Sequence, residues 1–503
     1  MGKRGWSIGA GTLLLAVCLT LPVFATVTPY SNYSYDFWGN PVEMPACYTP
    51  AAVHLGQDTG AGAFKAPQDL FVDSRKQIYV VDSGNNRLVI LDEAFQLIRS
   101  IDTLLLEESQ QQIVPTFNKP SGVFVTENGT IFLADTENKR VVAFDQNGQF
   151  VQEFAKPSGD VNYTALDFLP TKVVVDSTGF VYVRSKNTYQ GMILYQPDGK
   201  FVGYHAANDT EVTFELLMDY FWKNLLTDEQ RAKTANYVSI EYSSMDIDSK
   251  GFIYTTTLMT QTDTKQISKI NPSGDNVMKY STSIHPNFTG RFGDLGTAQL
   301  QGVTMKTKFV DICYDESGFI NALDYQRGRV FQYSDEGDLI TVFGGIGNQT
   351  GTFKAPAAVD MLDKRILVLD SGKNNITVFE RSPFGQEIQE AVIAHREGLY
   401  TRVRDQWKSI LAKDSNYTLA NIGIGKAYYE EGDYKTAMQY FRNGQDRSNY
   451  GKAFKKYRDG ILRNVIPFIC IAAVVLLFGG GLAGWYRRKK AAKSVKKRRG
   501  DLG

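Results

Sequence analysis

The chain has 503 residues, too long for one ordinary domain and enough for two or three. Its formal net charge is +1, but nine of the 55 Lys and Arg lie between Arg487 and Arg499, and two more are Lys3 and Arg4. The rest of the chain carries 44 basic residues against 53 acidic ones. An acidic body without a concentrated basic patch argues against nucleic acid as a partner.

The N-terminus has the pattern of a secretory signal peptide. Basic residues precede an apolar run from Ile8 to Phe24, and Ala25 supplies the small residue before a cleavage site. An uncleaved anchor is the alternative, although the run is short for a membrane span. We predict that residues 1–25 are the signal peptide and that residues 26–47 are an aromatic, turn-rich lead-in segment.

Two stretches repeat one pattern of short alternating strands. Residues 69–91 read DLFVDSRKQIYVVDSGNNRLVIL, and residues 122–144 read GVFVTENGTIFLADTENKRVVAF. The Asp-x-x-x-x-Arg pair that begins at Asp82 recurs 53 residues later at Asp135. Repeats of about 40–50 residues made of short strands are typical of β-propeller blades.

Turn sequences between further strand pairs predict six blades within residues 48–383. The segment from Tyr48 to Leu55 is a lone strand followed by a glycine-rich loop and Phe-Lys-Ala-Pro. The outer strand and loop at 339–356 end in the same four residues. The early strand should therefore complete the last blade and close the ring, which removes exposed sheet edges.

These repeats resemble the NHL repeats of six-bladed propellers. Asp324 and Arg329 form another Asp-x-x-x-x-Arg pair, whereas Asp370 is followed by Asn375 at that spacing. Blades 3 and 4 lack the pair and are inferred from their flanking turns. The resemblance implies an all-β six-bladed propeller, with the Asp side chains acting as turn anchors.

Three blade-to-blade connections are long, and they lie on the same side of the propeller as the Asp/Arg turns. One of them carries a predicted helical insertion at about 211–236. We predict a binding surface there, although the insertion could equally be a helix that packs over a blade. The candidate contact residues are Arg87, Arg140, Arg329 and Trp222.

After residue 383 the periodicity changes from two to about 3.6, which predicts an α-helical module at 384–464. Segments 384–417 and 418–451 align at an offset of 34 and resemble tetratricopeptide repeats. The resemblance implies binding of peptides or proteins, and a rigid stalk is the alternative. Residues 452–464 are expected to form a capping helix.

Residues 465–486 contain no charged residue and are long enough for one transmembrane helix. The basic segment 487–503 follows directly, which predicts a cytoplasmic tail by the positive-inside rule. With the signal peptide, this gives a single-pass type I protein of the plasma membrane. The propeller and the helical module would lie outside.

No strong catalytic motif, metal-type Cys/His spacing or cofactor motif is found, so we expect a protein that is not an enzyme. Cys47 and Cys313 either pair or stay free. The main hypothesis is a scaffold that binds membrane or cell-surface proteins, such as a transporter, as the resemblance suggests. The alternatives are a lactonase-like hydrolase with Ca²⁺ at the axis and a glycan-binding module.

Overall fold

The computed structural model describes residues 28–157, 168–188, 190–206, 241–257, 265–296, 298–300 and 303–500. The predicted signal peptide, the helical insertion and Trp222 lie outside these ranges. Within them, six antiparallel sheets form the blades of a propeller, and helices follow. The six-bladed propeller predicted from the repeats is confirmed.

The lead-in contains two short strands, the strand that closes the ring follows it, and blades 1–3 each contain four strands. The lead-in strands are β1 Tyr33–Tyr35 and β2 Pro41–Glu43, and the closing strand is β3 Tyr48–Leu55. Blade 1 contains β4 Asp69–Val72, β5 Ile78–Asp82, β6 Arg87–Leu91 and β7 Leu97–Ile101. Blade 2 contains β8 Gly122–Val125, β9 Ile131–Asp135, β10 Arg140–Phe144 and β11 Phe150–Ala155. Blade 3 contains β12 Pro170–Val175, β13 Val181–Ser185, β14 Met192–Tyr195 and β15 Phe201–His205.

Blades 4–6 follow the same order, with a small hairpin before blade 5. Blade 4 contains β16 Tyr242–Ile247, β17 Ile253–Thr257 and β18 Ile267–Ile270, and the hairpin is β19 Ala298–Leu300 with β20 Val303–Met305. Blade 5 contains β21 Phe309–Asp315, β22 Phe319–Asp324, β23 Arg329–Ser334 and β24 Leu339–Phe343. Blade 6 contains β25 Pro356–Leu362, β26 Arg365–Asp370 and β27 Asn375–Arg381.

Strand β3 closes the ring as the outer strand of blade 6. It pairs antiparallel with β27, from Leu55 opposite Asn375 to Tyr48 opposite Arg381. The side chains of Tyr48 and Phe379 are fully buried. The closing strand expected from the repeated Phe-Lys-Ala-Pro segment is thus present.

The lead-in segment is part of the propeller. Strands β1 and β2 extend blade 5 to a sheet of six strands, with Tyr33 opposite Val342 of β24. The sequence pattern predicted a lead-in here but gave no partner for it.

The end of the second strand anchors the loop that enters the same blade. Asp82 accepts the backbone N–H of Lys65 at 2.7 Å, and Asp135 accepts that of Asn118 at 2.7 Å. In blade 3 the hydroxyl of Ser185 does the same for Leu169 at 2.9 Å. A serine replaces the aspartate there, which is why blade 3 shows no Asp/Arg pair in the sequence.

The helical region begins directly after β27. Its helices are α1 Pro383–Arg396, α2 Arg404–Lys413, α3 Thr418–Glu430, α4 Tyr434–Asn443 and α5 Arg447–Gly500. Residues 452–464, predicted as a capping helix, are helical and belong to α5, which continues through residue 464 and past Pro467 without a break. This one helix of the described chain is long and apolar enough to cross a membrane.

Helices α1–α3 share one hydrophobic core with blades 5 and 6. Trp407, Ile410 and Ile424 belong to the same buried cluster as Phe319 and Phe343. A large buried apolar interface between domains fixes their relative position, whereas small polar interfaces allow motion. Helices α1–α3 are therefore packed firmly on one side of the propeller.

Candidate functional site at the propeller axis

The six inner strands place one residue each at the same level of the axis. Each of these residues stands four positions before the turn between the first two strands, and each pairs with the residue that precedes the end of the second strand. We call this set the upper ring; its members are Asp69, Gly122, Lys172, Ser244, Asp311 and Ala358.

Lys172 crosses the axis to bind two carboxylates. Its Nζ lies 2.6 Å from Asp69 Oδ1 in blade 1 and 3.1 Å from Asp311 Oδ1 in blade 5. The side chains of both aspartates are 3% exposed and that of Lys172 is 14% exposed. Ser244 in blade 4 donates to the same oxygen of Asp311 at 2.6 Å. One ammonium thus connects blades 1, 3 and 5 directly.

The same carboxylates also join neighbouring blades. Asp69 Oδ2 accepts the backbone N–H of Val123 in blade 2 at 2.9 Å, and Asp311 Oδ2 accepts that of Val359 in blade 6 at 2.8 Å. Hydrogen bonds between charged and neutral groups are stronger than those between neutral groups. The ring therefore holds blades together as well as lining the axis.

A second level lies two residues further along each inner strand. We call it the lower ring; its members are Phe71, Phe124, Val174, Asp246, Cys313 and Asp360. Phe71 of blade 1 and Phe124 of blade 2 occupy neighbouring positions of the lower ring, and the centroids of their aromatic rings are 5.1 Å apart. Asp246 accepts the N–H of Tyr314 at 2.7 Å, and Asp360 accepts that of Val72 at 2.7 Å.

Above the upper ring, the axis widens into a cavity of about 390 Å³. It opens on the face where the second strands end, which is the face predicted from the long connections. We call this cavity the axial funnel. Four inner strands carry a register shift just before the upper ring, at Thr171, Ser243, Val310 and Ala357. Such bulges re-aim side chains, and these four residues line the funnel.

Glycine is required at the upper-ring position of blade 2. A Cβ on Gly122 would lie 2.4 Å from the carbonyl oxygen of Thr171 and 2.9 Å from the Cα of Lys172. Any larger residue would push the inner strand of blade 3 away. The small residue therefore allows blade 3 to carry Lys172 close to the axis.

Burial shifts the proton equilibria of the axial groups. Burial raises the pKa of Asp69 to about 6, although the neighbouring Lys172 opposes this shift. The pKa of Asp246 is raised to about 6, and that of Asp360 is raised well above its usual value, again chiefly by burial. Burial alone would lower the pKa of Lys172, but Asp311 and Asp69 together raise it. The ammonium therefore stays charged between its partners.

In the described structure, the ammonium group of Lys172 joins the carboxylates at the axis. Among the described residues, no group of three or more His, Cys, Asp or Glu side chains is placed to hold a metal ion. The calcium-dependent hydrolase stays an untested alternative, and in this structure the two upper-ring carboxylates bind an ammonium. Cys47 and Cys313 are both buried as free thiols.

The three described candidate arginines lie apart, one in each of blades 1, 2 and 5. Arg87 Nε binds Asp82 at 2.7 Å and Arg140 Nε binds Asp135 at 2.9 Å. The side chain of Arg140 is only 4% exposed and that of Arg87 is 18% exposed. The turn-anchor geometry expected for blades 1 and 2 is present, while a contact role for these arginines stays a prediction.

Blade 5 uses its arginine differently from blades 1 and 2. Arg329 Nη1 lies 2.7 Å from Asp294 and 2.8 Å from the hydroxyl of Tyr33. Asp324 still accepts the backbone N–H of the entering loop, from Lys308 at 2.8 Å, as Asp82 and Asp135 do in their blades. The difference arises because β1 brings Tyr33 beside blade 5, where Asp294 also binds Arg327 at 2.5 Å. The sequence motif alone did not predict this exchange of partners.

Sequence reasoning missed the axial rings, although a signal was present. Asp69, Lys172 and Asp311 each stand four residues before an aspartate that begins a turn, inside otherwise apolar strands. Charged side chains are rarely fully buried unless they are paired. Aligning the blades on their first turns would therefore have identified three charged residues at one level.

The comparisons with known proteins identify one repeat by sequence. Residues 117–144 match the NHL repeat family. Two similar proteins are the "Probable peptidyl-alpha-hydroxyglycine alpha-amidating lyase pgal-1" of Caenorhabditis elegans and the NHL repeat-containing protein 3 of Homo sapiens. The first is 31% identical over 96 residues, which cover 19% of this chain and 27% of that protein. The second is 27% identical over 140 residues, which cover 25% of this chain and 39% of that protein.

Solved structures of similar shape include the virginiamycin B lyase of Staphylococcus aureus. It matches with a TM-score of 0.40 and 9% sequence identity over 67% of this chain and all of that one. This likeness is too low to transfer any residue role or activity. The chain spans less than half of the two curated relatives, so their activities are not carried over either. The sequence match shows that this six-bladed propeller contains an NHL repeat.

Proposed function

We propose that the protein is a membrane-anchored scaffold outside the plasma membrane that binds another membrane or cell-surface protein, such as a transporter. The observation that carries the proposal is the hydrophobic core shared by the propeller and helices α1–α3, which α4 connects to the long, unbroken helix α5 with its apolar segment. A propeller mounted in this way would present its loop face at a fixed position relative to a membrane.

The contacts at the junction between the propeller and helix α1 support a fixed position of the propeller on the helices. The hydroxyl of Ser382 donates to the carbonyl of Ala46 at 2.5 Å and accepts the N–H of Gly385 at 3.0 Å, so it caps α1. A Cβ on Gly385 would lie 2.3 Å from the carbonyl oxygen of Cys47. The start of α1 is thus in backbone contact with the segment that leads into the closing strand.

Buried polar contacts also fix the orientation of α1. Gln389 Nε2 donates to the hydroxyl of Tyr48 and to Gln332 Oε1, both at 2.8 Å. Gln332 Nε2 donates to Asn321 Oδ1 at 2.8 Å. These contacts join α1 to blade 5 and to the closing strand.

In this proposal the helical region is a tetratricopeptide-like module, and the loop face of the propeller is a second contact surface. Arg87, Arg140 and Arg329 are its described candidate contact residues, and the fourth candidate, Trp222, lies outside the described residues. Because Arg140 is nearly buried, we place more weight on Arg87 and Arg329, whose side chains are 18% and 27% exposed. No metal or cofactor is required for this function.

Membrane attachment is tested by truncation. The full chain should sediment with membranes, and a variant that ends at residue 464 should be soluble, because it retains helices α1–α4 and their shared core. Protease added to intact cells should digest the propeller if it lies outside. A truncated protein that still sediments, or a propeller that is protected in intact cells, would contradict the anchor or the orientation.

Partner binding is tested by photo-crosslinking in native membranes. A crosslinker is placed in turn at Lys186 on the loop face, at Gln439 on α4, and at Lys76 on the opposite face, all of which are exposed. We expect a stoichiometric membrane protein crosslinked from Lys186, Gln439 or both, and none from Lys76. Recovery of the uncrosslinked protein alone from all three positions would refute the scaffold function.

A further inference from the structure

The axial funnel is closed at its base. Lys172 and its two carboxylates lie across the axis, and the lower ring fills the space behind them with Phe71, Phe124 and Val174. A cavity of about 390 Å³ that is open at one end falls within the range of about 300–1,000 Å³ typical of small-molecule sites. The funnel is therefore a blind pocket of ligand size rather than a pore.

The base of the funnel has hydrogen-bonding capacity that the protein does not use. An ammonium has three N–H donors, and Lys172 uses one for Asp69 and one for Asp311. A carboxylate has about four lone-pair sites, and among the described residues Asp69 accepts only from Lys172 and from the backbone of Val123. The base can therefore donate to a ligand and accept from it at adjacent positions.

The charged residues that line the funnel are balanced when their ion-pair partners are included. Lys172 is neutralised by Asp69 and Asp311, and Arg184 binds Glu241 at 2.7 Å. Lys186 adds one exposed cation at the wall. The lining itself contains three cations and two carboxylates, and Glu241, which binds Arg184 from outside the lining, supplies the third carboxylate. Such a lining attracts neither a strong anion nor a strong cation, because either would meet like charge.

The walls carry hydroxyl groups, and the rim carries an exposed aromatic ring. Ser121, Thr171, Ser243 and Ser371 line the cavity, and each hydroxyl oxygen can accept a further hydrogen bond. Tyr325 also lines it, with 42% of its surface exposed. An aromatic side chain offers a flat apolar face beside a polar edge.

We propose that the axial funnel binds a neutral, polyhydroxylated small molecule of the size of a mono- or disaccharide. Its hydroxyls would donate to Asp69 and Asp311 and accept from Lys172, while the apolar face of its ring would stack on Tyr325. Paired donors and acceptors beside an aromatic surface match a molecule in which each hydroxyl both donates and accepts. This ligand class goes beyond the scaffold function and does not depend on it.

The test measures binding of glucose, maltose and mannitol by calorimetry, with glucuronate as an anionic probe. The full chain is kept in a detergent without a sugar headgroup. We expect at least one neutral probe to bind, glucuronate to bind less tightly, and Tyr325→Ala to weaken binding about fivefold or more. Trp38→Ala removes another exposed aromatic, outside the funnel, and should leave the dissociation constant unchanged.

Two variants separate a specific site from a general surface effect. Tyr325→Ala alters an exposed side chain and should not disturb folding, and Ser371→Ala removes one wall hydroxyl. A loss of binding in both, with unchanged thermal unfolding, supports the proposal. Failure of all neutral probes to bind, tighter binding of glucuronate, or equal loss in Trp38→Ala would overturn it. Photo-crosslinking to a membrane partner would be unaffected by that failure, so the two proposals fail separately.

Discussion

Two buried polar networks hold this molecule together, and they differ in charge. At the axis, Lys172 joins Asp69 and Asp311 beside a cavity that is open to solvent. At the propeller–helix junction, Gln332 and Gln389 form neutral hydrogen bonds inside a hydrophobic core. Burying ions is expensive unless they are paired and partly hydrated, whereas neutral amides need only hydrogen-bond partners. In these two networks, the charged one lies beside the open cavity and the neutral one lies inside the core.

Replacing Lys172 should produce the largest loss in the free energy of unfolding. Lys172→Met leaves Asp69 and Asp311 without their cation, and breaking a buried pair in this way typically costs about 3–5 kcal/mol. Thermal and chemical unfolding would measure the change. The matched control is Lys186→Met, which alters an exposed lysine on the same face and should change stability little.

A triple variant sharpens this result. Lys172→Met combined with Asp69→Asn and Asp311→Asn removes all three charges, and amide oxygens can still accept from Val123 and Val359. We expect it to recover much of the lost stability. If Lys172→Met alone is as stable as the native protein, the ammonium does not join the blades as the distances indicate.

The lower ring offers a test of a buried carboxyl group through the pH dependence of the free energy of unfolding. Burial raises the pKa of Asp246 to about 6, against about 3.9 in an unfolded chain. The unfolded state therefore ionises first, and this group's contribution to the free energy of unfolding is lost as pH rises from about 4 to about 6. A shift of this size corresponds to roughly 3 kcal/mol.

The measurement compares unfolding of the native protein and Asp246→Asn across this pH range. The native protein should lose more stability than the variant between pH 4 and pH 6. Asp275→Asn, in an exposed turn of the same blade, should follow the native curve. Parallel curves for the native protein and Asp246→Asn would show that this carboxyl titrates normally.

Loss of one hydrogen-bond partner in the neutral network at the propeller–helix junction should reduce stability less than loss of Lys172 at the axis. Gln389→Leu removes two hydrogen bonds and leaves Gln332 Oε1 buried without a donor, which costs roughly 1–3 kcal/mol. Unfolding followed by circular dichroism would measure it. Gln386→Leu alters an exposed glutamine on the same helix and serves as the control. A larger loss than that of Lys172→Met would reverse the order we infer from charge.

Local sequence signals predicted the parts of the fold that local chemistry determines. The Asp turn anchors of blades 1 and 2 and the closing strand Tyr48–Leu55 were evident because each depends on a short motif. The contact of Lys172 with Asp69 and Asp311 was not evident from the sequence. These partners lie 103 and 139 positions from Lys172, and the inner strands of blades 3 and 5 carry register shifts. The boundary predicted at residue 464 came from a change in hydropathy, and in the structure it lies within the continuous helix α5, which also contains Pro467.

Replacing Arg329 should cause the smallest loss of stability. Its partner Asp294 would still be paired with a cation, so the local charge would stay balanced. Arg329→Met removes contacts to Asp294 and Tyr33, but Arg327 still binds Asp294 at 2.5 Å. We therefore expect a loss of about 1 kcal/mol or less, as for other partly exposed ion pairs. The change should appear mainly as faster proteolysis of the lead-in segment that contains Tyr33.

Arg75→Met is the control for this last prediction, since Arg75 is exposed in a turn on the opposite face of the propeller. A loss of several kcal/mol in Arg329→Met would mean that the lead-in segment is essential to blade 5 rather than added to it. Unchanged proteolysis would mean that Asp294 and the backbone pairing of β1 hold the segment without this arginine. Either result would decide whether the exchanged partner of Arg329 stabilises blade 5 or only orders the strands added to its edge.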